Sequence, residues 1–436
     1  WAGASVAAHL FFGTKGAYHM SARRFRTLWA AVVVLFLPAI AQAGLTPRID
    51  PADAKYVMPV KDVRIGMKGY GKTVFKGTKI ETFGAEVVGV LDRANMGTEL
   101  VVVKLAGGPM SSRGANLIEG MSGSPIYIDG KILGAFAYGG MFGKEPLGLV
   151  TPLEYMLEAW DTALPQKPST FYPFDGTARL DHPLSIDGRE FDKIAISGMS
   201  GPREFGTGTL VFQPLAMPLT VSGGSPRVIA RLQERLKGLN IRVTAGPGSK
   251  TTGVETASSL EPGSALGAVL VTGDIDMAGV GTVTYRRGNK LVAFGHPMFG
   301  IGAIDALMTS AYVFDVFPSY MVSSKIAAPG KPLGRIYQDR PWCIAGEIGK
   351  MPDMIPLTVH VRNGATGRKK VFNCRVTRHP MVATMLLAAV AEEAVSQTAG
   401  SPADSFARVK FAVDAEEVGR IERENVFFDP TSIESE

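Results

Sequence analysis

A serine enclosed by glycines is the feature of the sequence with the clearest chemical potential. It stands in the segment Gly120-Met121-Ser122-Gly123-Ser124-Pro125. Flanking glycines let the backbone approach a carbonyl closely and point N–H groups at a developing oxyanion, which is what acyl transfer requires. The structural alternative is an ordinary glycine–serine turn before a strand. The motif is not the GxSxG nucleophile elbow, because Ser124 replaces its last glycine.

A histidine offers the matching base. His296 lies in Gly295-His296-Pro297, directly after a predicted strand at residues 290–294. This strand would hold the ring at the rim of a sheet, where a neutral imidazole can accept a proton. The alternative here is a histidine with a purely structural role.

The elements that must position these two side chains are predicted to be short strands. Between residues 56 and 157, β-branched or aromatic runs separated by glycine turns predict strands at 86–91, 100–105, 125–128 and 132–137. Asp129-Gly130 is a strong signal for a two-residue hairpin turn. Similar runs return at 268–272, 281–286, 290–294, 308–316, 321–326 and 356–361. The second half is therefore predicted to repeat the architecture of the first.

This pattern predicts a mainly β protein of two β-barrels with a middle insert and a C-terminal helix. The serine-bearing barrel is assigned to residues 44–160 and the histidine-bearing barrel to residues 261–380. Residues 161–260 are interpreted as a proline-rich linker, up to about residue 185, followed by a small α/β insert with a helix at 228–239 and a strand at 241–245. Residues 381–436 are interpreted as a helical extension, and its end shows no stop signal, which leaves open that the protein continues.

The first 43 residues are interpreted as upstream residues plus a signal peptide. Three arginines follow Met20, an apolar run spans residues 28–40, and Ala41-Gln42-Ala43 completes the pattern of a cleaved secretory leader. Cleavage after Ala43 would export the chain to the periplasm or the exterior and leave no stable transmembrane span. The alternative is an uncleaved N-terminal anchor, although the run is shorter than the roughly 20 apolar residues that a membrane helix needs.

Composition excludes several classes of protein. At roughly 150 residues per domain, the 436 residues amount to about three units, enough to bury a core without disulfides. The net charge of +6 belongs mostly to the leader, because the remainder holds 42 basic and 40 acidic residues and no run of like charges. A nucleic-acid partner is therefore not expected. Motifs for metals and phosphate-binding loops are missing, so no cofactor is predicted. Cys343 and Cys374 could pair in an oxidising compartment or remain two buried thiols.

The two motifs carry a resemblance to a known family. The segment 120–126, followed by 129–135, resembles the catalytic-serine segment of the SpoIVB (stage IV sporulation protein B) peptidase family, and residues 148–157 resemble the end of that domain. Phe294-Gly295-His296-Pro297, preceded by residues 281–284, is similar to the family's histidine segment. The resemblance covers residues 66–157 and 262–349. It implies a chymotrypsin-like serine peptidase of two β-barrels with the active site between them.

The resemblance also implies roles for individual residues. The serine motif resembles the trypsin-type Gly-Asp-Ser-Gly-Gly-Pro, which implies Ser122 rather than Ser124 as the nucleophile and the N–H groups of Gly120 and Ser122 as the oxyanion hole. His296 would be the general base.

Two departures from the family pattern are evident. In the family the histidine half comes first, whereas here Ser122 precedes His296 by 174 positions. The family's aspartate shortly before the serine has no counterpart between Leu105 and Glu119. Asp339 is then the first candidate for the orienting acid and Asp305 the second, and either could equally be a solvated turn residue.

The expected function is an exported serine endopeptidase that cleaves a protein or peptide of the cell envelope. The missing acid favours an alternative, a catalytically weak or inactive peptidase-like module that binds or scaffolds envelope proteins. A peptidase that processes only itself is the third hypothesis, because limited autocleavage needs little turnover.

Overall fold

The structure is a computed structural model, and the residues that it describes define a mainly β protein, which confirms the predicted class. They are residues 5–14, 49–95, 98–112, 117–140, 146–160, 175–186, 188–197, 206–237, 239, 241–246, 257, 259–319, 323–399, 405–415 and 418–429. The apolar leader run, the cleavage position at Ala43 and the prolines at 165–173 lie outside the described residues.

Six strands of the first half form a closed ring of hydrogen-bonded neighbours. Numbered along the chain, they are β2 (Lys68–Val74), β3 (Ile80–Asn95), β4 (Thr98–Ala106), β6 (Ser124–Ile128), β7 (Lys131–Gly140) and β8 (Leu147–Pro152). The pairing order is β2-β3-β4-β8-β7-β6, and β6 pairs again with β2. The four runs predicted between residues 86 and 137 fall inside these strands. We call this set the first ring.

Six strands of the second half form a second ring. They are β14 (Ala265–Gly273), β15 (Asp276–Arg287), β16 (Lys290–Ala293), β17 (Gly302–Phe317), β18 (Ser323–Arg340) and β19 (Cys343–Ile348). The pairing order is β14-β15-β16-β19-β18-β17, and β17 pairs again with β14. When the six strands of each ring are counted along the chain, the pairing order in both rings is first, second, third, sixth, fifth and fourth. The second half therefore repeats the first. The chymotrypsin-like character of the rings stays a prediction.

The Asp-Gly pair forms the predicted hairpin turn between β6 and β7. Asp129 and Gly130 have φ angles of 50° and 76°. Positive φ at both central positions is what a two-residue turn of the type favoured between antiparallel strands requires. The local sequence therefore determines this connection.

The remaining strands extend the two sheets that contain the rings. They are β1 (Ser5–Thr14), β5 (Ile118–Glu119), β9 (Asp175–Ile186), β10 (Arg189–Ser197), β11 (Thr209–Pro214), β12 (Met217–Ser222), β13 (Ile241–Ala245), β20 (Ile355–Asn363), β21 (Lys369–Val376), β22 (Ser405–Ala415) and β23 (Gly419–Asp429). The helices are α1 (Pro51–Ala54), α2 (Gly108–Ser112), α3 (Leu153–Met156), α4 (Pro226–Arg235) and α5 (Ala383–Ala399), with 3-10 turns at Val60–Asp62 and Leu157–Trp160. No helix within the described residues is long and apolar enough to cross a membrane.

The structure differs from the sequence prediction at three segments. Residues 175–185, predicted as linker, belong to β9, and Pro183 is tolerated because the pairing of β9 with β10 is irregular between Arg179 and Leu184. Residues 5–14, set aside as upstream of the leader, form β1 between β20 and β22. The helical C-terminal extension contains α5 but ends in the hairpin of β22 and β23.

Apolar side chains fill the interior of each ring. Val87, Val103 and Ile126 belong to the first core, and Val283 and Leu291 to the second. The two cysteines are free and buried, so the alternative of two unpaired thiols describes this structure. The Sγ atom of Cys343 lies 3.4 Å from the carbonyl oxygen of Met156, and that of Cys374 lies 4.0 Å from the carbonyl oxygen of Ile275.

Candidate active site

The serine lies in a tight turn between β5 and β6. Gly120 and Gly123 have φ angles of 89° and 94°, in the region that favours glycine. The N–H groups of Met121, Gly123 and Ser124 donate to carbonyl oxygens at 3.0, 2.8 and 2.9 Å. Among the described residues, the N–H of Ser122 has no backbone acceptor. The hydrogen bonds of the turn therefore do not use the N–H of Ser122, which is a donor assigned to the oxyanion hole.

The serine turn packs directly on the second ring. The N–H of Thr282 donates to the carbonyl oxygen of Ser122 at 2.8 Å, and Thr284 Oγ1 donates to the carbonyl oxygen of Gly123 at 2.8 Å. A Cβ atom at Gly123 would lie 1.9 Å from the carbonyl oxygen of Thr282 and 2.5 Å from the nitrogen of Phe294. Only glycine allows the turn to approach the second ring this closely.

The histidine turn makes the reciprocal contact with the first ring. Phe294 and Gly295, which follow β16, have φ angles of 73° and 74°. Thr151 Oγ1 donates to the carbonyl oxygen of Gly295 at 2.6 Å, and a Cβ atom at Gly295 would lie 2.6 Å from the Cβ of Ala135. Positive φ is a strained conformation for phenylalanine, and such strain is often found at functional sites. Both motifs therefore lie where the two rings meet.

The reactive atoms of the two motifs are buried at the contact between the rings. Ser122 is 0% exposed and His296 is 1% exposed. Among the described residues, neither Ser122 Oγ nor His296 Nε2 has a hydrogen-bond partner, so the two are not hydrogen-bonded to each other. Buried polar atoms are almost always paired, and two unpaired ones at one interface point to a functional role.

The environment of His296 sets its charge and tautomer. Burial lowers the pKa of His296 to about 4, although the backbone of Pro297 and of Leu215 partly opposes this change. The ring is therefore neutral at pH 7. Nδ1 lies 2.8 Å from the carbonyl oxygen of Pro297. Because a carbonyl oxygen can only accept, Nδ1 carries the proton and Nε2 keeps a free lone pair.

The two serines of the motif have different surroundings. Ser124 Oγ donates to the carbonyl oxygen of Met121 at 2.5 Å, so its hydroxyl stabilises the turn. The hydroxyl of Ser122 is not used in this way. This difference favours Ser122 as the nucleophile.

Asp339 supports the backbone that follows the histidine. Its buried carboxylate accepts the N–H groups of Met298, Phe299 and Gly300 at 2.8, 2.8 and 2.9 Å. Burial raises the pKa of Asp339 to about 6, and these backbone hydrogen bonds oppose the rise. Because the proton of Nδ1 is donated to Pro297, Asp339 acts here on the loop rather than on the ring. Its role as the orienting acid stays a prediction.

Asp305, the second candidate, lies in β17 in a different environment. Its Oδ2 atom accepts the N–H of Asp353 at 2.8 Å, and its Oδ1 atom lies 3.6 Å from Arg335 Nη1. The carboxylate is partly exposed. These contacts engage both carboxylate oxygens of Asp305 with groups other than the imidazole.

Replacing Asp339 by alanine is expected to lower the free energy of unfolding by about 3 kcal/mol, because three buried N–H groups lose their acceptor. Urea denaturation at pH 7 measures the loss. Asp305→Ala is the control, with an expected loss of about 1 kcal/mol, since its partners reach solvent. Equal losses in the two variants would show that Asp339 does not support the loop.

Sequence reasoning missed one residue beside the serine turn. Lys325, in β18, is 2% exposed, whereas its neighbour Ile326 is 43% exposed. The polarity of the two side chains alone favours the opposite arrangement, with the isoleucine inside and the lysine outside. A lysine on the buried face of a strand has no signature in a single sequence.

The comparison with known families concerns the serine half of the chain. Residues 52–148 match the family model described as SpoIVB peptidase S55. This match confirms the predicted resemblance to the SpoIVB peptidase family and indicates a serine peptidase, for which proteins are the substrates. The matched segment includes the serine turn and ends before His296, so the resemblance of residues 262–349 stays a prediction. No curated protein and no solved structure is significantly similar to the chain.

Proposed function

We propose that the chain is an exported serine endopeptidase that cleaves a protein of the cell envelope, with Ser122 as nucleophile and His296 as general base. The observation that carries the proposal is a pair of buried atoms, Ser122 Oγ and His296 Nε2, in turns that dock on one another's rings. Neither atom has a hydrogen-bond partner within the part of the chain that the structure describes. The family match supports the reaction class. The leader pattern of residues 20–43 supports export, and cleavage after Ala43 would remove β1 from its place between β20 and β22.

The chemistry follows from the tautomer of the histidine. Nε2 takes the proton of Ser122 Oγ while that oxygen attacks the carbonyl carbon of the scissile peptide bond. The N–H groups of Ser122 and Gly120 stabilise the negative oxygen of the tetrahedral intermediate. The imidazolium then gives its proton to the leaving amine as the C–N bond breaks. Water, activated by the same nitrogen, releases the acyl group from Ser122.

Substrate must gain access to this site before reaction. Ser122 and His296 are buried, and their reactive atoms are not yet hydrogen-bonded. In empty active sites such hydrogen bonds are often long and form only when substrate is present. A displacement of the covering segments is therefore part of the proposed cycle, and slow reaction with small probes is expected.

The alternative function is a peptidase-like module of the envelope that binds or scaffolds proteins with little or no catalysis. Two observations favour it: Ser122 Oγ and His296 Nε2 are not hydrogen-bonded to each other, and the carboxylate of Asp339 is engaged by the backbone of residues 298–300. Self-processing is a form of the leading proposal with low turnover.

The distinguishing experiment is labelling with a fluorophosphonate, which reacts with activated serines. The parent protein is expected to be labelled at Ser122, and Ser122→Ala is expected to lose all labelling. Ser124→Ala is the matched control and keeps the label at a lower rate, because its hydroxyl fixes Met121 in the turn. Mass spectrometry identifies the modified residue. An unlabelled parent would favour the binding module, and equal labelling of Ser122→Ala would contradict the assignment of the nucleophile.

A further inference from the structure

We propose that Lys325 is a positioning residue that locks the serine turn through a directed chain of hydrogen bonds ending on the carbonyl oxygen of Gly120. The proposal deepens the proposed function, because it takes Ser122 as the nucleophile. It assigns a role to a residue outside both motifs.

The stem of Lys325 lies against the serine turn. A Cβ atom at Gly120 would be 3.1, 3.2 and 3.3 Å from the Cδ, Cβ and Cγ atoms of Lys325. The start of β18 runs parallel to β5, which leads into the turn, with Ser324 opposite Glu119. The lysine therefore supports Gly120 by packing, and its amine continues beyond the turn into the contact between the rings.

The hydrogen bonds of the amine run in one direction. Lys325 Nζ lies 2.8 Å from Thr73 Oγ1, Thr73 Oγ1 lies 3.3 Å from Thr282 Oγ1, and Thr282 Oγ1 lies 3.2 Å from the carbonyl oxygen of Gly120. A carbonyl oxygen only accepts, so the hydroxyl of Thr282 donates to Gly120. The single proton of Thr282 is then used, so Thr73 donates to Thr282 and accepts from Lys325. Every donor in the chain is thereby fixed.

This chain constrains the conformation of the turn. The carbonyl of Gly120 defines the plane of the peptide bond that leads to Met121, and Gly120 has a φ of 89°. A rotation of that plane would turn the N–H of Met121 away from the carbonyl oxygen of Ile118 and displace the next peptide, which carries the N–H of Ser122. Because Thr73 belongs to the first ring and Thr282 to the second, the chain also couples the turn to the contact between the rings. A preorganised oxyanion site requires such support from its surroundings.

The amine has no compensating charge among the described residues. On β5, Glu119 is paired with Arg242, whose Nε lies 2.9 Å from Glu119 Oε2, and burial raises the pKa of this carboxyl to about 7. On β17, Asp315 Oδ2 lies 3.7 Å from Lys76 Nζ. Thr73 and Thr282, from β2 and β15, do not titrate.

Burial alone lowers the pKa of Lys325 to about 7. Protonation near neutral pH therefore places an unpaired charge beneath the turn, which is costly. The turn should loosen as the pH falls below this value.

Two variants test the role of the chain. Lys325→Met keeps an unbranched stem against Gly120 and removes the amine, and Thr73→Val keeps the shape of the threonine and interrupts the chain. The first measurement is the rate of fluorophosphonate labelling between pH 5.5 and 9. The second is the hydrogen–deuterium exchange of a peptide that covers residues 118–124, which requires no activity.

In the parent we expect the labelling rate to fall about tenfold as the pH drops through 7, because protonation of Lys325 places an unpaired buried charge beside the turn. Both variants should be labelled about tenfold more slowly at pH 8 and should exchange faster at residues 118–124. In Lys325→Met the step near pH 7 should shrink, which loss of packing alone would not cause. Glu119 titrates in the same range but is common to both proteins, so the difference between the two pH profiles reports on Lys325.

The outcomes separate this inference from the proposed function. A parent that is not labelled, together with faster exchange in both variants, would contradict the peptidase and support the positioning role. Unchanged labelling rates, pH profiles and exchange in the variants of a labelled parent would overturn the role of Lys325. If Lys325→Met does not fold, Thr73→Val decides the question by the same measurements.

Discussion

Replacing Gly123 by alanine is expected to lower the free energy of unfolding by about 4 kcal/mol or more and to abolish labelling of Ser122. The new Cβ would lie 1.9 Å from the carbonyl oxygen of Thr282 and 2.5 Å from the nitrogen of Phe294, and both of these atoms belong to backbone. The turn must then separate from the second ring. Its hydrogen bonds with Thr282 and Thr284 would be lost at about 1 kcal/mol each. The φ of 94° adds a strain of about 1–2 kcal/mol for any residue with a side chain.

Gly130→Ala is the control for Gly123→Ala. Gly130 also has a positive φ, of 76°, but a Cβ there would meet nothing within 4 Å. This control therefore carries the conformational cost without the clash, and its expected loss is about 1 kcal/mol. Urea denaturation of both variants and the parent measures the two losses. A loss at Gly123 no larger than that at Gly130 would show that the serine turn does not dock tightly on β15.

Local sequence signals predicted the parts of the fold that depend on neighbouring residues. The Asp129-Gly130 turn and the strand that ends just before His296 are examples, because positive φ in a short turn and β-branched runs are properties of a few consecutive residues. The repetition of the strand pattern predicted that the two halves share an architecture. The identical pairing order of the two rings bears this out.

The parts that sequence could not predict depend on contacts between distant segments. The need for glycine at position 123 arises from the backbone of Thr282, and Pro183 is tolerated in β9 only because its pairing with β10 is irregular there. Lys325 is buried and its neighbour Ile326 is exposed, which reverses the usual placement of polar and apolar side chains along a strand. Contacts between segments more than 100 residues apart leave no pattern in a single sequence, so these features are visible only in the folded structure.

His296→Gln is expected to lower the rate of fluorophosphonate labelling at pH 7 by about 10²–10⁴, because the general base is lost. Glutamine is close to histidine in size and stays neutral, so the variant should remain folded. In the parent the rate should also fall as the pH drops through about 4, where the imidazole becomes protonated and cannot accept the serine proton. The variant should lack that step. A labelling rate equal to that of the parent would contradict the assignment of His296 as the base.

The same variant should change the dependence of stability on pH. The folded-state pKa of His296, about 4, is below the unfolded value of about 6.5, so the unfolded chain binds the proton first as the pH falls. The neutral ring therefore makes its full contribution to the free energy of unfolding above pH 6.5. This contribution, about 3 kcal/mol, is lost as the pH falls from 6.5 to 4. Asp339, with a folded pKa of about 6, has the opposite effect between pH 6 and 4 and masks this loss in the parent. Asp339 is common to both proteins, so its effect cancels in the comparison. As the pH falls from 7 to 4, we therefore expect the free energy of unfolding of His296→Gln to rise by about 3 kcal/mol relative to that of the parent. Urea denaturation across this range measures the difference, and a constant difference would mean that His296 is not buried in its neutral form.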